Sequence, residues 1–285
     1  MTRLPVIAQR AEALLGASVV ATAPVAGGDI STATRLRLSD GTTALVKTYP
    51  QAPSGFFEAE VSGLGWLAEA DGVACPEVLG SDDECLILRW IEPGKSTVDA
   101  AVAFGQALAR THAAGAASYG QERDGFIGKL PLPNRSAPTW AEFFATRRVL
   151  PYLKLARDRG NATEGDATAV EGVIGRLPDL LIEEPPSRLH GDLWNGNVLW
   201  GLDGVVRVID PAAYGGHREA DLAMLSLFGL PHLPRVMDAY TEVSPLADGW
   251  EERLPLHQLF PLLVHACMFG GGYAARAASI ATRYS

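Results

Sequence analysis

The stretch that most constrains this chain runs from Leu189 through His190-Gly191-Asp192-Leu193-Trp194-Asn195-Gly196-Asn197. It leads into two short apolar runs that flank Asp203-Gly204, the second ending at Asp210. Asp-Gly between β-branched and apolar runs predicts a hairpin with a two-residue type I′ turn. In that register Leu202 faces Val205, Leu199 faces Val208, and Asn197 faces Asp210. Opposed residues share one face of a hairpin, so the Asn197 amide oxygen and the Asp210 carboxylate can converge on one hard cation, and oxygen ligands of this kind suit Mg²⁺. Asp192 stands in the loop that leads into the hairpin, outside the strand ladder, where it can reach a substrate hydroxyl beside that metal. That is the position of a general base.

The spacing Asp-Leu-x-x-x-Asn followed by a further Asp resembles the catalytic loop and metal-binding Asp of protein kinases. Two departures stand out: the loop opens with His-Gly-Asp rather than His-Arg-Asp, and Asp210 is followed by Pro211 rather than Phe-Gly. They direct the resemblance toward the kinase-like phosphotransferases that act on small molecules. ATP and Mg²⁺ are then the expected cofactors.

A net charge of −9 over 285 residues argues against a nucleic-acid partner, because a phosphate backbone rewards clustered Lys and Arg. Cys75, Cys85 and Cys267 are scattered and lack metal-ligand spacing, which suggests reduced thiols and a cytoplasmic location. Met1 to Arg10 has no signal-peptide core, and the apolar region from Leu254 to Ala281 is broken by His257, Gln258, Pro261, His265 and Arg276, so no membrane partner is expected. The length allows two lobes.

Residues 3 to 16 pattern as a short amphipathic helix, and Val19 to Val25, Ala33 to Leu38 and Thr43 to Tyr49 as three antiparallel strands. Between the first two strands lies Gly27-Gly28-Asp29-Ile30-Ser31-Thr32, where Gly27 and Gly28 could let backbone N–H groups close over phosphates. A Gly-Gly pair also serves as a plain turn, and only the nearby strand carrying Lys47 favours the phosphate reading.

Lys47 occupies the third strand, where kinases place the lysine that grips nucleotide phosphates. Pro53-Ser54 then opens a helix whose apolar stripe is Phe57, Val61, Leu64, Leu67 and Ala68. At about 100° per residue Glu60 falls inside that stripe between Leu67 and Leu64, whereas Glu58 points away. A carboxylate on a packed face needs a cation, so Glu60 is the expected partner of Lys47.

Cys85 to Ile91 is a strand broken by Glu92-Pro93-Gly94. The lobe boundary falls there, with a nucleotide-binding lobe over 1–91 and a catalytic and acceptor-binding lobe over 92–285. Backbone groups of Arg89, Trp90 and Ile91 are expected to meet the edge of an adenine ring. Helix follows from Val98 to Ala117, with His112 as a core histidine, and Asp124 to Asn134 reads as a loop. Trp140 to Leu155 and Asp166 to Leu177 return to helix, and helices fill Leu233 to Tyr284 with a break at Gly270-Gly271-Gly272. Asp221 could cap its helix or hold the catalytic loop by hydrogen bonds.

Taken together, the central stretch, Tyr214 to Asp221, Phe126-Ile127-Gly128-Lys129-Leu130-Pro131-Leu132-Pro133-Asn134 and Phe269-Gly270-Gly271-Gly272-Tyr273 resemble a bacterial member of the fructosamine kinase family over nearly the whole length. The resemblance implies an α+β, two-lobed protein-kinase-like fold with an antiparallel sheet lobe and a mostly helical lobe. It implies MgATP as donor and phosphorylation of the sugar 3-hydroxyl of ketosamines, either ribulosamine or fructosamine, free or on glycated lysine. By motif, Asp192 resembles the base, Asn197 and Asp210 the metal ligands, Lys47 and Glu60 the phosphate-positioning pair, and Trp194 and His265 sugar-pocket residues. Val264 and Cys267 flank His265 where the family often carries amides. One rival is an aminoglycoside or choline-type kinase, the same fold with another acceptor. The other is a non-catalytic nucleotide-binding regulator, which should have lost Lys47, Asp192, Asn197 or Asp210; all four are present.

Overall fold

The strict alternation of Arg35-Leu36-Arg37-Leu38 reflects a strand with unlike faces: Leu36 and Leu38 are buried and Arg37 is exposed. In the computed structural model, which describes residues 6–26 and 31–285, that strand belongs to a five-stranded antiparallel sheet. The strands are β1 (Val19–Val25), β2 (Thr32–Leu38), β3 (Thr43–Thr48), β4 (Val78–Asp82) and β5 (Cys85–Arg89), in the order β1-β2-β3-β5-β4. Gly27 and Gly28 lie outside the described residues.

The period of two in β5 builds two layers. Cys85 and Ile87 pack with Ala8 and Ala11 of α1 (Val6–Leu15), while Leu86 and Leu88 pack with Phe57 and Leu64 of α2 (Phe56–Ala68). The sheet is therefore covered by one helix on each face, and α2 is pressed against the face that carries Lys47. Pro53 and Ser54 precede α2 without capping it. The residue before the helix is Gly55, in the left-handed region at φ 79°.

The chain leaves β5 through a segment sewn to the later hairpin. Gly94 donates its N–H to the Trp200 carbonyl at 2.7 Å, and Leu202 donates to Glu92 at 2.8 Å. After it come α3 (Val98–Ala113), capped by the Thr97 hydroxyl, and the short pair β6 (Gly125–Ile127) and β7 (Leu130–Leu132). The latter pair lies inside the segment read from sequence as a loop. Three-residue strands, one with Pro131 at its centre, carry too little alternation to be seen.

An aromatic helix follows as α4 (Trp140–Phe143), a π-helical turn over Phe144–Val149, and α5 (Leu150–Asp158). Then come α6 (Glu164–Ile174), α7 (Leu177–Leu180), β8 (Ser187–Leu189), β9 (Val198–Trp200), β10 (Val206–Val208) and β11 (Tyr214–Gly216). The chain finishes with α8 (Glu219–Phe228), α9 (Leu233–Val243), α10 (Trp250–His257), α11 (Leu259–Phe269) and α12 (Tyr273–Ala281). The helix expected over Asp166 to Leu177 stops at Ile174, and Pro178 lies in the first turn of the short α7. Trp140, Phe143, Phe144 and Tyr152 fill the core of this helical lobe together with Leu259 to Leu263. The architecture is α+β, an antiparallel sheet lobe followed by a helical lobe. No helix among the described residues is long and apolar enough to cross a membrane.

The hairpin at Asp203-Gly204 forms, but one residue out of the expected register. Val198 pairs with Val208 and Trp200 with Val206, and Gly201 donates to the Val205 carbonyl at 3.0 Å. The loop therefore contains three residues. Gly204 donates to Gly201 at 3.0 Å and takes a left-handed φ of 79°, as in a type I turn followed by a glycine bulge. Asp203 stabilises that longer loop by accepting the Val205 N–H at 3.1 Å and the Arg207 guanidinium at 2.7 and 3.0 Å.

Candidate active site

The corrected register makes Ile209, not Asp210, the partner of Asn197: the Ile209 N–H donates to the Asn197 carbonyl at 3.0 Å. A slip of one residue would turn Asp210 to the opposite face if the strand continued. It does not continue. Asp210 has a left-handed φ of 54°, a conformation that Asp tolerates better than most residues, and its carboxylate meets Lys47. Asp210 thus reaches the site through a backbone turn rather than through cross-strand pairing.

Lys47 is the hub. Its ammonium donates to both Glu60 oxygens at 2.6 and 2.7 Å and to Asp210 Oδ1 at 2.7 Å. Lys47 and Glu60 are only 7% and 8% exposed, so each charge depends on the other. Burial alone would lower the lysine pKa, but the Asp210 and Glu60 carboxylates raise it, keeping the ammonium charged. The helical-phase argument that chose Glu60 over Glu58 agrees with these contacts. Glu58 is solvent-exposed and pairs with Arg123 at 2.7 Å.

Asp192 sits on a loop held from three directions. Asp221, in the first turn of α8, accepts the backbone N–H groups of His190 and Gly191 at 2.8 and 2.9 Å. The same carboxylate lies 3.2 Å from Nε2 of His112, whose Nδ1 lies 2.8 Å from the Tyr240 hydroxyl. The alternatives for Asp221 thus resolve toward holding the loop, and His112 is the hydrogen-bonded core histidine expected. Burial would raise the Asp221 pKa, but His112 and the His190 N–H more than offset it, leaving a stable anion. On the other side the His190 ring bridges the Ile209 carbonyl through Nε2 at 2.9 Å and the Asp192 N–H through Nδ1 at 3.2 Å. Gly191 explains the missing arginine of the kinase-like triplet. Its φ is 80°, and a Cβ there would overlap the Ala212 carbonyl oxygen.

Asn197 donates its side-chain N–H₂ to the Asp192 carbonyl at 2.8 Å and to Asp192 Oδ2 at 3.0 Å. With both donors facing Asp192, the amide oxygen is oriented away as an acceptor. Burial pushes the Asp192 carboxyl up to about 7, with Asp210 and Asp221 adding to the shift and Asn197 opposing it. A carboxylate of that basicity is suited to accepting a hydroxyl proton near neutral pH. Asn197 and Asp210, the residues expected to hold the metal, offer an amide oxygen and a carboxylate, the oxygen chemistry that suits Mg²⁺ rather than a softer ion.

At the hinge two of the expected backbone N–H groups are already committed. The Arg89 N–H donates to Glu77 at 2.8 Å and the Trp90 N–H to Thr43 at 3.0 Å, so neither is available to an adenine edge. The Arg89 side chain pairs with Glu77 at 2.5 Å. The Trp90 indole donates to Glu92 at 2.9 Å beneath the Arg35 guanidinium. Ile91 is the member of the trio with no such commitment.

Trp194 and His265 do meet, through a residue that the sequence reading passed over. Phe228, the last residue of α8, lies 6.0 Å from the Trp194 ring and 4.7 Å from the His265 ring. Val264 and Cys267, by contrast, are buried in the helical core. Arg148 was also missed. Its fully buried guanidinium donates to Pro133 and Asn134 at 2.6 and 2.7 Å and lies 3.8 Å from the Tyr214 ring, clamping the loop that ends at Asn134.

Among the described residues, His217, Glu219 and His257 place donor atoms close enough for a metal ion. Arg253 already donates to both Glu219 oxygens at 2.7 to 3.2 Å, which balances the carboxylate within a structural cluster.

A sheet lobe carrying a Lys–Glu pair, set against a helical lobe carrying an Asp-x₄-Asn loop and a further Asp, defines a kinase of the protein-kinase-like class. The fructosamine kinase profile matches residues 4–284, and the chain belongs to that family, whose members are ATP-dependent kinases. A probable ketoamine kinase from Thermus thermophilus is 39% identical over 252 residues, covering 88% of each chain. The chloroplastic protein-ribulosamine 3-kinase of Arabidopsis thaliana is 33% identical, over 91% of this chain and 81% of that one. The crystal structure of a candidate fructosamine-3-kinase from Thermobifida fusca superposes with a TM-score of 0.92 at 50% identity, covering 97% of both chains. Macrolide and aminoglycoside phosphotransferases and a choline kinase, at 13 to 19% identity, share the fold alone.

Proposed function

We propose that this kinase transfers the γ-phosphoryl group of MgATP to the 3-hydroxyl of a ketosamine, such as ribulosamine or fructosamine, free or borne on glycated lysine. The observation that supports the chemical part is the link between two pairs: Lys47 bonds Asp210, Asn197 bonds Asp192, and the Ile209 N–H beside Asp210 donates to the Asn197 carbonyl at 3.0 Å. The acceptor class rests on family membership and on the names of relatives at 33 to 50% identity.

Each residue has a role in this reading. Lys47, held by Glu60, positions the nucleotide phosphates. Asn197 and Asp210 would hold Mg²⁺, which when bound would neutralise developing phosphate charge. Asp192 accepts the proton of the acceptor hydroxyl as its oxygen attacks phosphorus, and ADP leaves. Asp221 and His190 fix the loop that carries Asp192. Trp194 and His265 offer the sugar an apolar surface and a hydrogen-bonding edge. Phosphoryl transfer depends mainly on position and charge, and these groups supply both.

The test is incubation with MgATP and ribulosamine, fructosamine, glycated lysine, an aminoglycoside or choline, with products mapped by ³¹P and ¹H NMR. The expected product is the ketosamine 3-phosphate. Phosphate found solely on the aminoglycoside or choline would replace the acceptor while leaving the kinase chemistry intact.

A further inference from the structure

We propose that Phe228 determines acceptor specificity by extending the sugar-facing Trp194 and His265 into one aromatic wall whose outer part receives the amine substituent of the ketosamine. The proposal rests on the ketosamine reading above.

The wall is fixed at the end nearest the base. The Trp194 ring lies across Gly196, where a Cβ would overlap the six-membered ring, so the indole is folded back over its own loop. The Phe228 ring meets it in an edge-on arrangement with an interplanar angle of 64°. The same helix, α8, provides both Asp221 near its start and Phe228 at its end. Seven residues of helix separate them by about 10 Å along the axis. The carboxylate that anchors the base loop and the ring that meets Trp194 thus belong to one rigid element.

Beyond Phe228 the rings continue outward. His265 lies 5.2 Å from Tyr273 and 5.5 Å from Phe269, and its Nδ1 is 2.8 Å from the Pro261 carbonyl. Phe228, His265 and Tyr273 are half-buried, whereas Phe269 is 54% exposed. An aromatic path therefore leads from the base loop to solvent.

Ketosamine chemistry matches that path. The amine is attached at C1, two carbons from the reacting hydroxyl carbon, so the nitrogen and its substituent must leave the reaction centre along an adjacent surface. The nitrogen is a protonated secondary amine near neutral pH, which aromatic faces attract, and an apolar substituent gains further contact with the rings. The wall should favour alkyl and aralkyl amines and should act mainly through ground-state binding.

The experiment compares N-methyl, N-butyl and N-benzyl ketosamines with the wild type, Phe228→Ala and Phe228→Tyr. Steady-state kinetics are paired with calorimetric binding of the same compounds without ATP. The wild type should prefer benzyl over methyl by roughly three- to tenfold, expressed in KM. Phe228→Ala should abolish the preference without altering KM for ATP, and Phe228→Tyr should retain it. A preference that survives in Phe228→Ala, or an equal rise in KM for ATP, overturns the proposal. If the wild type phosphorylates no ketosamine, the functional reading fails and binding decides the wall: tighter benzyl binding that is lost in Phe228→Ala supports it, and equal binding overturns it.

Discussion

Asp221 and His190 are joined by a 2.8 Å bond from the loop backbone to a buried carboxylate, 31 positions further along the chain. That bond, its neighbour to Gly191 and the contact with His112 couple the base loop to the start of α8. Replacing Asp221 with Ala strands two backbone donors in a buried site, at a cost of about 1 to 3 kcal/mol for each unsatisfied group. The expected result is a lower Tm together with a lower kcat, measured by calorimetry and steady-state assay. Asp221→Asn, which keeps one acceptor oxygen, should fall between the two. An Ala variant with wild-type Tm and kcat would remove the anchoring role.

Lys47 is shared between two carboxylates, and this ranks the outcome of mutating the pair. Lys47→Met leaves Glu60 and Asp210 facing each other without a cation, whereas Glu60→Gln leaves Lys47 bonded to Asp210. KM for ATP should therefore rise more in Lys47→Met, with the larger fall in Tm. An equal or greater effect of Glu60→Gln would contradict the shared geometry.

Asp210 holds its position through a left-handed backbone that Asn also adopts readily. Asp210→Asn should leave Tm within a few degrees of wild type, raise the Mg²⁺ concentration needed for half-maximal rate, and lower kcat by ~10²-fold or more. Turnover with an unchanged Mg²⁺ requirement would exclude Asp210 as a metal ligand.

Acid sensitivity should originate away from the site, at His217 and Glu219. Burial, with His257 nearby, lowers the His217 pKa from 6.5 to about 3. The unfolded chain then takes up this proton first, and stability falls as pH drops from about 6.5 toward 3. Burial would raise Glu219, but His257 and Arg253 hold it at about 2 against 4.5, so its contribution is lost between about pH 4.5 and 2. Thermal melts of His217→Gln should show a flatter slope from pH 6.5 to 4.5 than the wild type, with the steep fall below 4.5 retained. The limiting difference is one proton, or about 1.4 kcal/mol per pH unit. Identical slopes would assign the acid limb to other groups.

Much of this arrangement is legible where a period or a turn signal constrains it. The helical phase of α2 placed Glu60 on the buried face, and Asp203-Gly204 located the hairpin tip. The register at that tip is less constrained because Leu202 is 71% exposed and Val205 41% exposed, so core burial does not select between two- and three-residue loops. The Asp203 hydrogen bonds that favour the longer loop depend on side-chain geometry. Two hinge N–H groups are committed to carbonyls of Thr43, on β3, and Glu77, just before β4, which only the tertiary fold brings alongside. Phe228 was passed over because one apolar residue at a helix end has no periodic signature, and Trp194 and His265 meet it only through the tertiary fold.

Asp192→Asn tests the central claim most directly, through ATP affinity by calorimetry and kcat by coupled assay on the same preparation. Asn has nearly the same size and can still hydrogen-bond Asn197, but it cannot act as a base. The account predicts nucleotide affinity within about twofold of wild type and kcat lower by roughly 10² to 10⁴. An Asn variant that turns over ketosamine at the wild-type rate would contradict it.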